Sequence, residues 1–426
     1  MTDDGALSTS ARSAVAAVWA LFAALALLMM GNGLLGVVIG VRSELEDFST
    51  TVTGLILASY FAGFLVGSQV TPRIMARVGH IRVFAGLSSL VATSALIHAL
   101  TFSSLSWIVL RFTFGWAMAG LYVVVESWLN EMVSNENRGR LMGVYMAVAM
   151  GGLAVGQLLI GIGNPLEPTL FIIAGGLMTL AVAPVSLSVI EAPVFELPPR
   201  VSPFELWGVA PLGVVTAIGS GTANGALIAM SGVYATQVGL STAATGAFVA
   251  AAAIGSVALQ WPVGHMSDSL GRRRSILLVT TAAAIVAILS PLLHTSGWQA
   301  IGGMFVLGGL SYPMYSLALS HVVDVLPPGQ AVRGSMAVVF LNGVGAIMGP
   351  LAASVTMDLA GPDGFFWTIA LVHALIGIFA LARLARRPRI EDLTPEPWLA
   401  VPARSTFVPW RRRSSGPSTL SETDQN

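Results

Sequence analysis

No cysteine occurs anywhere in the 426 residues, which removes disulfides, thiol catalysis and cysteine-based metal sites together. Charge is nearly as scarce. Asp, Glu, Lys and Arg make up 10% of the chain, and all 21 basic residues are arginine. The 21 acids balance them, so the formal net charge is zero, and no basic face suggests a nucleic acid partner. There is no Gly-x4-Gly-Lys-Ser/Thr phosphate loop, which argues against an ATP-driven pump within this chain. His98, His294, His321 and His373 are scattered without metal-site spacing, and no nucleophile–base pair stands out. No enzyme activity, cofactor or metal is expected.

Apolar residues are abundant: 55% of the chain is hydrophobic and the mean hydropathy is +0.79. That is too apolar for a soluble domain. Twelve long runs account for it, at about 14–41, 51–70, 83–102, 105–129, 141–163 and 169–190, then 208–234, 242–263, 275–294, 298–320, 335–357 and 364–384. Each is near the ~20 residues a helix needs to cross a bilayer. Barrel strands would be about 10 residues long with alternating polarity, and these runs are continuous. The first is too long for the apolar core of a signal peptide and lacks a small-residue cleavage site, so it reads as a retained helix. The fold class is an all-α membrane protein with twelve transmembrane helices.

With the N-terminus inside, only Arg42 falls in an outer loop and only Arg111 lies within a run. Every other arginine lands in an inner loop or a terminus. This satisfies the positive-inside rule and puts both termini in the cytoplasm.

The chain repeats itself. Shifted by 192 residues, Asn32-Gly33 meets Asn224-Gly225 and Gly40-Val41 meets Gly232-Val233. Ser49-Thr50 meets Ser241-Thr242, Thr53-Gly54 meets Thr245-Gly246, and Gly63, Gly79 and Arg82 meet Gly255, Gly271 and Arg274. Shared apolar composition does not produce matched Asn-Gly and Ser-Thr pairs in one register. The expected organisation is a six-helix half over 1–190, a proline-rich linker over 191–207, a second half over 208–385, and a polar, proline-rich tail over 386–426 that is disordered or membrane-apposed.

Two parallel six-helix halves are the plan of the major facilitator superfamily, and local motifs resemble that family. In GHMSDSLGRRR, residues Gly264, Asp268, Gly271, Arg273 and Arg274 match its inner-loop signature, while Ser269 replaces a basic residue. The first-half copy, PRIMARVGHIR, keeps Arg77, Gly79 and Arg82 but has Pro72, Ala76 and Ile81 at motif positions. Arg111-Phe-Thr-Phe-Gly115 resembles the family's intramembrane arginine motif. Gly152-x-x-x-Gly156-Gln157 resembles the motif of exporters, with Gln157 where proline is expected, and the eleventh run has Gly345-x-x-x-Gly349-Pro350. GNGLLGVVIGVR, FSTTVTG, RVGHIRVFAGL and GLYVVVESWLN are similar to the YcaD-like branch of bacterial transporters. The resemblance covers about residues 14–385.

It implies a bacterial inner-membrane secondary transporter, multi-pass and monomeric, that moves a small organic solute by alternating access. Protons are the expected coupling ion. An uncoupled facilitator, or a transporter-like sensor that moves nothing, is the alternative. A buried charge in a bilayer costs about 2.5–3.5 kcal/mol on insertion scales, so Arg111 should face a cavity or a partner; otherwise it snorkels or caps carbonyls. Glu126, roughly 22 Å farther along the same helix, is either a proton carrier or an inner-surface partner of Arg77 or Arg82. Asn32 and Asn224 either bind solute or satisfy backbone freed at glycine bends. Tyr122, Tyr312 and Tyr315 are cavity-lining candidates or packing residues. The resemblance makes Asp268, Gly264, Gly271 and Arg272–Arg274 an inner gate, with Arg77, Gly79, Arg82, Glu131 and Asp324 as its counterparts and partners. Asp324 should pair with one of Arg272–Arg274, and Glu126 or Glu131 should lie near Arg77 or Arg82. Asp268 should point at the start of the fifth helix, near 140–143.

Overall fold

The computed structural model describes residues 3–131, 138–187, 203–293, 297–327 and 330–386. Its helices are α1 Asp3–Leu45, α2 Thr50–Val78, α3 His80–His98, α4 Ser104–Glu131, α5 Arg138–Leu158, α6 Thr169–Leu180, α7 Val182–Ser186 and α8 Pro203–Val209. They continue with α9 Pro211–Gln237, α10 Thr242–Leu270, α11 Arg272–Leu289, α12 Gly297–Ser311, α13 Met314–Val325, α14 Ala331–Ala360 and α15 Gly364–Arg386. No strand occurs among the described residues. Most of the 191–207 linker and the tail beyond 386 lie outside the described residues.

Eleven spans among the described residues are long and apolar enough to cross a membrane. The twelfth is the tenth run, which Pro313, lacking an N–H, divides at Tyr312-Pro313 into α12, of 15 residues, and α13, of 12, in direct succession. The end carrying Gly79 and Gly271 is called the inner end after the arginine distribution. Its turns are shorter than expected. α10 continues through Gly264 to Leu270, so Asp268 is helical rather than in a loop. Gly271 alone, at φ +82°, separates α10 from α11, and Gly79, at φ +88°, separates α2 from α3. A side chain at either position would be strained, since only glycine tolerates this backbone readily.

The repeat marks where helices meet. Ser49 and Ser241 cap α2 and α10 by accepting the N–H of Val52 and Ala244, each at 3.3 Å. Just beyond each cap is the repeated glycine. A Cβ on Gly54 would lie 2.9 Å from the Pro350 carbonyl oxygen of α14, and one on Gly246 would lie 2.7 Å from that of Gln157 on α5. These contacts join α2 to α14 and α5 to α10, where the two sets of helices face each other. Within each set the approach is closer still. A Cβ on Gly63 would meet the Phe112 carbonyl oxygen, and one on Gly255 the Phe305 carbonyl oxygen, both at 1.9 Å. Such crossings need small residues because backbone touches backbone.

Gly63→Ala and Gly255→Ala should therefore each cost about 3 kcal/mol, the upper end of overpacking penalties. Gly86→Ala, inside α3 where nothing lies within 4 Å of the new Cβ, should keep stability or raise it by up to about 1 kcal/mol of helix propensity. Thermal unfolding of the detergent-solubilised protein measures this, and equal melting of all three variants would refute the backbone-contact account.

Candidate functional site

The crossings that carry glycine also assemble a site. α2 and α4 meet at Gly63 and again at Gly115, whose Cβ would lie 2.0 Å from the Tyr60 carbonyl oxygen. This brings Arg111 over the Tyr60 ring, with the guanidinium carbon 4.6 Å from its centroid and 5.4 Å from that of Phe114. Cation–π contact of this kind stabilises a cation removed from water. α1 and α5 meet at Gly33 and Gly156, where added Cβ atoms would lie 2.3 Å from the Leu153 oxygen and 2.0 Å from the Met30 oxygen. Asn32 and Gln157, each beside one of these glycines, thus come to the same depth. Together Asn32, Tyr60, Arg111 and Gln157 line a cavity of about 30 Å3, closed from the other side by Ile228 and Ala229 of α9. A water needs roughly 10–15 Å3 measured this way, so the space suits a few waters and no organic solute.

Nearer the outer ends of α1, α2, α9 and α14, polar bonds join the two sets of helices. Gln237 Nε2 donates to Glu44 Oε2 at 3.0 Å and to Thr50 Oγ1 at 3.2 Å. The Thr51 hydroxyl donates to Asp358.

Of the residues singled out from sequence, Arg111 and Asn32 share the cavity and the others do not line it. Asn224, the repeat partner of Asn32, is 3% exposed, and neither of its side-chain polar atoms has a hydrogen-bond partner among the described residues. Tyr122 donates to Met29 Sδ at 2.9 Å. Tyr315 is fully buried among Ala217, Ala318 and Val338, its hydroxyl without a hydrogen-bond partner among the described residues. Tyr312 packs against the core from the turn before Pro313. Glu126 is buried and accepts the Tyr145 hydroxyl of α5 at 2.7 Å. Arg77 and Arg82 are exposed and form no ion pair with Glu126; the Glu126 carboxylate is turned toward α5 instead. The side chain of Glu131 lies outside the described residues.

The inner-end motif uses its charge first within its own set of helices. Arg272, 5% exposed, donates to Ser267 Oγ at 2.7 Å, Asp268 Oδ1 at 2.6 Å and Asp324 Oδ2 at 3.1 Å. It thereby ties the end of α10 and the start of α11 to α13. Asp324 pairs with Arg272, the first of the three arginines, while Arg274 is exposed. The start of α5, toward which Asp268 was expected to point, begins at side chains outside the described residues.

Sequence reading missed three contributors. Gln157 was noted only for replacing proline, and Tyr60 stood unmarked in a run of apolar residues. His80 occupies the position equivalent to Arg272 in the repeat, and its Nε2 lies 2.8 Å from Ser127 Oγ of α4. The signal that pointed to His80 was the register itself. Two further histidines serve packing: His373 bonds Thr280 and Ser311 at 3.1 and 2.9 Å, and His98 Nδ1 lies 2.6 Å from the Ser94 carbonyl. His294 lies outside the described residues.

The sequence profile described as Major Facilitator Superfamily matches residues 21–343 and 209–420. Among relatives, the protein described as "Uncharacterized MFS-type transporter YcaD" from Escherichia coli O7:K1 is 28% identical over 377 residues, covering 87% of this chain and 97% of its own. The same protein from Escherichia coli K12 is 28% identical over 376 residues, with the same coverage. Among solved structures, a mutant of the nucleoside transporter NupG superposes with a TM-score of 0.71 at 11% identity, covering 86% of this chain and 98% of its own. A bacterial homologue of the human lysosomal transporter Spinster, inward-facing and unoccupied, gives 0.66 at 16% identity, covering 88% and 96%. At such identities these structures speak to the fold alone. The profile spans nearly all the membrane helices, and with it the chain is a multi-pass membrane transporter rather than an enzyme: it belongs to the Major Facilitator Superfamily.

Proposed function

We propose that the chain is a monomeric secondary transporter of the bacterial inner membrane, with both termini cytoplasmic, that moves a small organic solute by alternating access coupled to protons. The observation that carries this reading is the cavity holding Arg111, Asn32 and Gln157, together with outer bonds that span the two helix sets. A buried cation and two amides are costly in a membrane interior unless they meet a solute or water during the cycle. Gln157 Oε1 and both polar atoms of Asn224 support it further, being buried without hydrogen bonds among the described residues. Native proteins leave few such atoms unsatisfied. In alternating access these groups find partners when the helix sets rock apart and the cavity widens. Glu126, bonded to Tyr145, carries the coupling proton, and the Asp268–Arg272–Asp324 cluster stiffens the inner gate.

A solute screen in proteoliposomes, with and without an imposed pH gradient, tests the reading. Solute flux should follow the gradient in the native chain, and Glu126→Gln should abolish the gradient's effect while solute exchange persists. Flux indifferent to the gradient in the native chain would make the protein an uncoupled facilitator, and no flux for any solute would leave a sensor.

Arg111→Lys keeps the charge but loses the planar fork and its stacking on Tyr60. Flux should fall about tenfold or more, as for a lost charged hydrogen bond of about 1.5–3 kcal/mol, with membrane insertion intact. Native flux in this variant would exclude Arg111 from the site.

Asn224→Leu separates solute binding from packing. Removing an unsatisfied buried amide should raise stability by up to about 1–3 kcal/mol and still impair transport. Loss of stability with normal transport per folded molecule would assign Asn224 to packing.

A further inference from the structure

A second pocket lies at the inner end, where α9, α11, α13 and α15 converge, away from the central cavity. Arg273, Arg383 and His321 line it with Val209, Pro211 and Val325, and no acidic residue is among its described lining residues. Asp268 and Asp324 each bond Arg272. His321 is 4% exposed, and the structure records no hydrogen bond for it among the described residues. The 27-residue helix α9 starts at the same place, with Pro211 in its first turn. The N–H groups of Leu212 and Gly213 precede the first intrahelical bond, which Val214 gives to the Ala210 carbonyl at 3.1 Å. Free N–H groups at a helix start, guanidinium groups and an imidazole form a donor set suited to phosphate oxygens.

The surroundings say where that phosphate comes from. Trp207 on α8 is 52% exposed and lies against Phe379 of α15, with ring centroids 6.3 Å apart. Ile378 and Leu381, near Arg383 on α15, are 65% and 58% exposed. An exposed tryptophan beside bare aliphatic side chains marks the membrane–water boundary, so the donors sit at headgroup depth with acyl-chain contacts next to them. The enclosed volume, about 10 Å3, seats an oxygen atom and leaves the rest of the group at the surface.

We propose that this pocket binds the phosphate of an anionic phospholipid headgroup of the inner leaflet. Basic pockets between transmembrane helices are the usual means of holding such headgroups. Arg273 adjoins Arg272, so an occupied site places lipid charge one residue from the cluster joining α10, α11 and α13.

The test is native mass spectrometry of the full-length chain in detergent, supplied with phosphatidylglycerol or phosphatidylcholine of matched chain length. The native chain should retain phosphatidylglycerol preferentially. Arg273→Gln with Arg383→Gln should weaken its binding about thirty-fold, since each arginine near an anionic lipid contributes about a factor of five, and leave phosphatidylcholine unaffected. Arg273→Lys with Arg383→Lys should keep most of the preference. If the Gln pair does not fold, Arg383→Gln alone should show about a fivefold loss. Unchanged phosphatidylglycerol retention in the Gln variants, or no preference in the native chain, overturns the site. Displacement of the lipid by inorganic phosphate at equal concentration would make the ligand a soluble anion and overturn the lipid assignment.

Discussion

Inside a bilayer, hydrocarbon gives one apolar helix no reason to prefer another, so the fold depends on how closely helix backbones can approach. In this chain that approach is set by glycine. Gly63 and Gly115 bring α2 against α4, and Gly33 and Gly156 bring α1 against α5. Each crossing has a polar residue one or a few positions away: Tyr60 and Arg111 at the first, Asn32 and Gln157 at the second. The site is thus a by-product of packing. The residues that allow close contact also fix the depth and azimuth of the residues that line the cavity.

The repeat sets up a near-symmetric molecule, and departures from symmetry fall at its working parts. Gln157 faces the cavity where the second copy has Pro350. Asn32 reaches the cavity, whereas Asn224 is shut away without a hydrogen bond among the described residues. At the inner end, the residue after the turn glycine anchors to the end of α4 in one copy and to that of α13 in the other. The first anchor is a hydrogen bond, His80 to Ser127; the second is an ion pair, Arg272 to Asp324. A hydrogen bond to a hydroxyl and a buried ion pair respond differently to hydration, since an ion pair carries a large desolvation cost. The two inner turns are therefore unlike in energy although alike in backbone.

Much of this could be read from the chain itself. Run length gave the spans, the arginines gave an orientation, and matched Asn-Gly and Thr-Gly pairs gave the repeat whose glycines turned out to be contact points. The break at Pro313 was not read, because an apolar run scored by length passes over a single missing N–H. Tyr60 was invisible because its role arises only where α2 crosses α4, about fifty residues away in sequence. For Glu126, depth left open a proton carrier or a partner of Arg77 or Arg82, because depth does not say which way a helix is rotated. The rotation turns it to Tyr145 on α5. Asp268 was placed in a loop because charge and glycine together resemble one, yet the α-helix runs through it to Leu270.

The single-residue turns at Gly79 and Gly271 bear on how movement passes between helices. With one residue between them, the inner ends of α2 and α3 are held to a common depth, as are those of α10 and α11. Lengthening either turn would let one helix of each pair slide along the membrane normal without its neighbour.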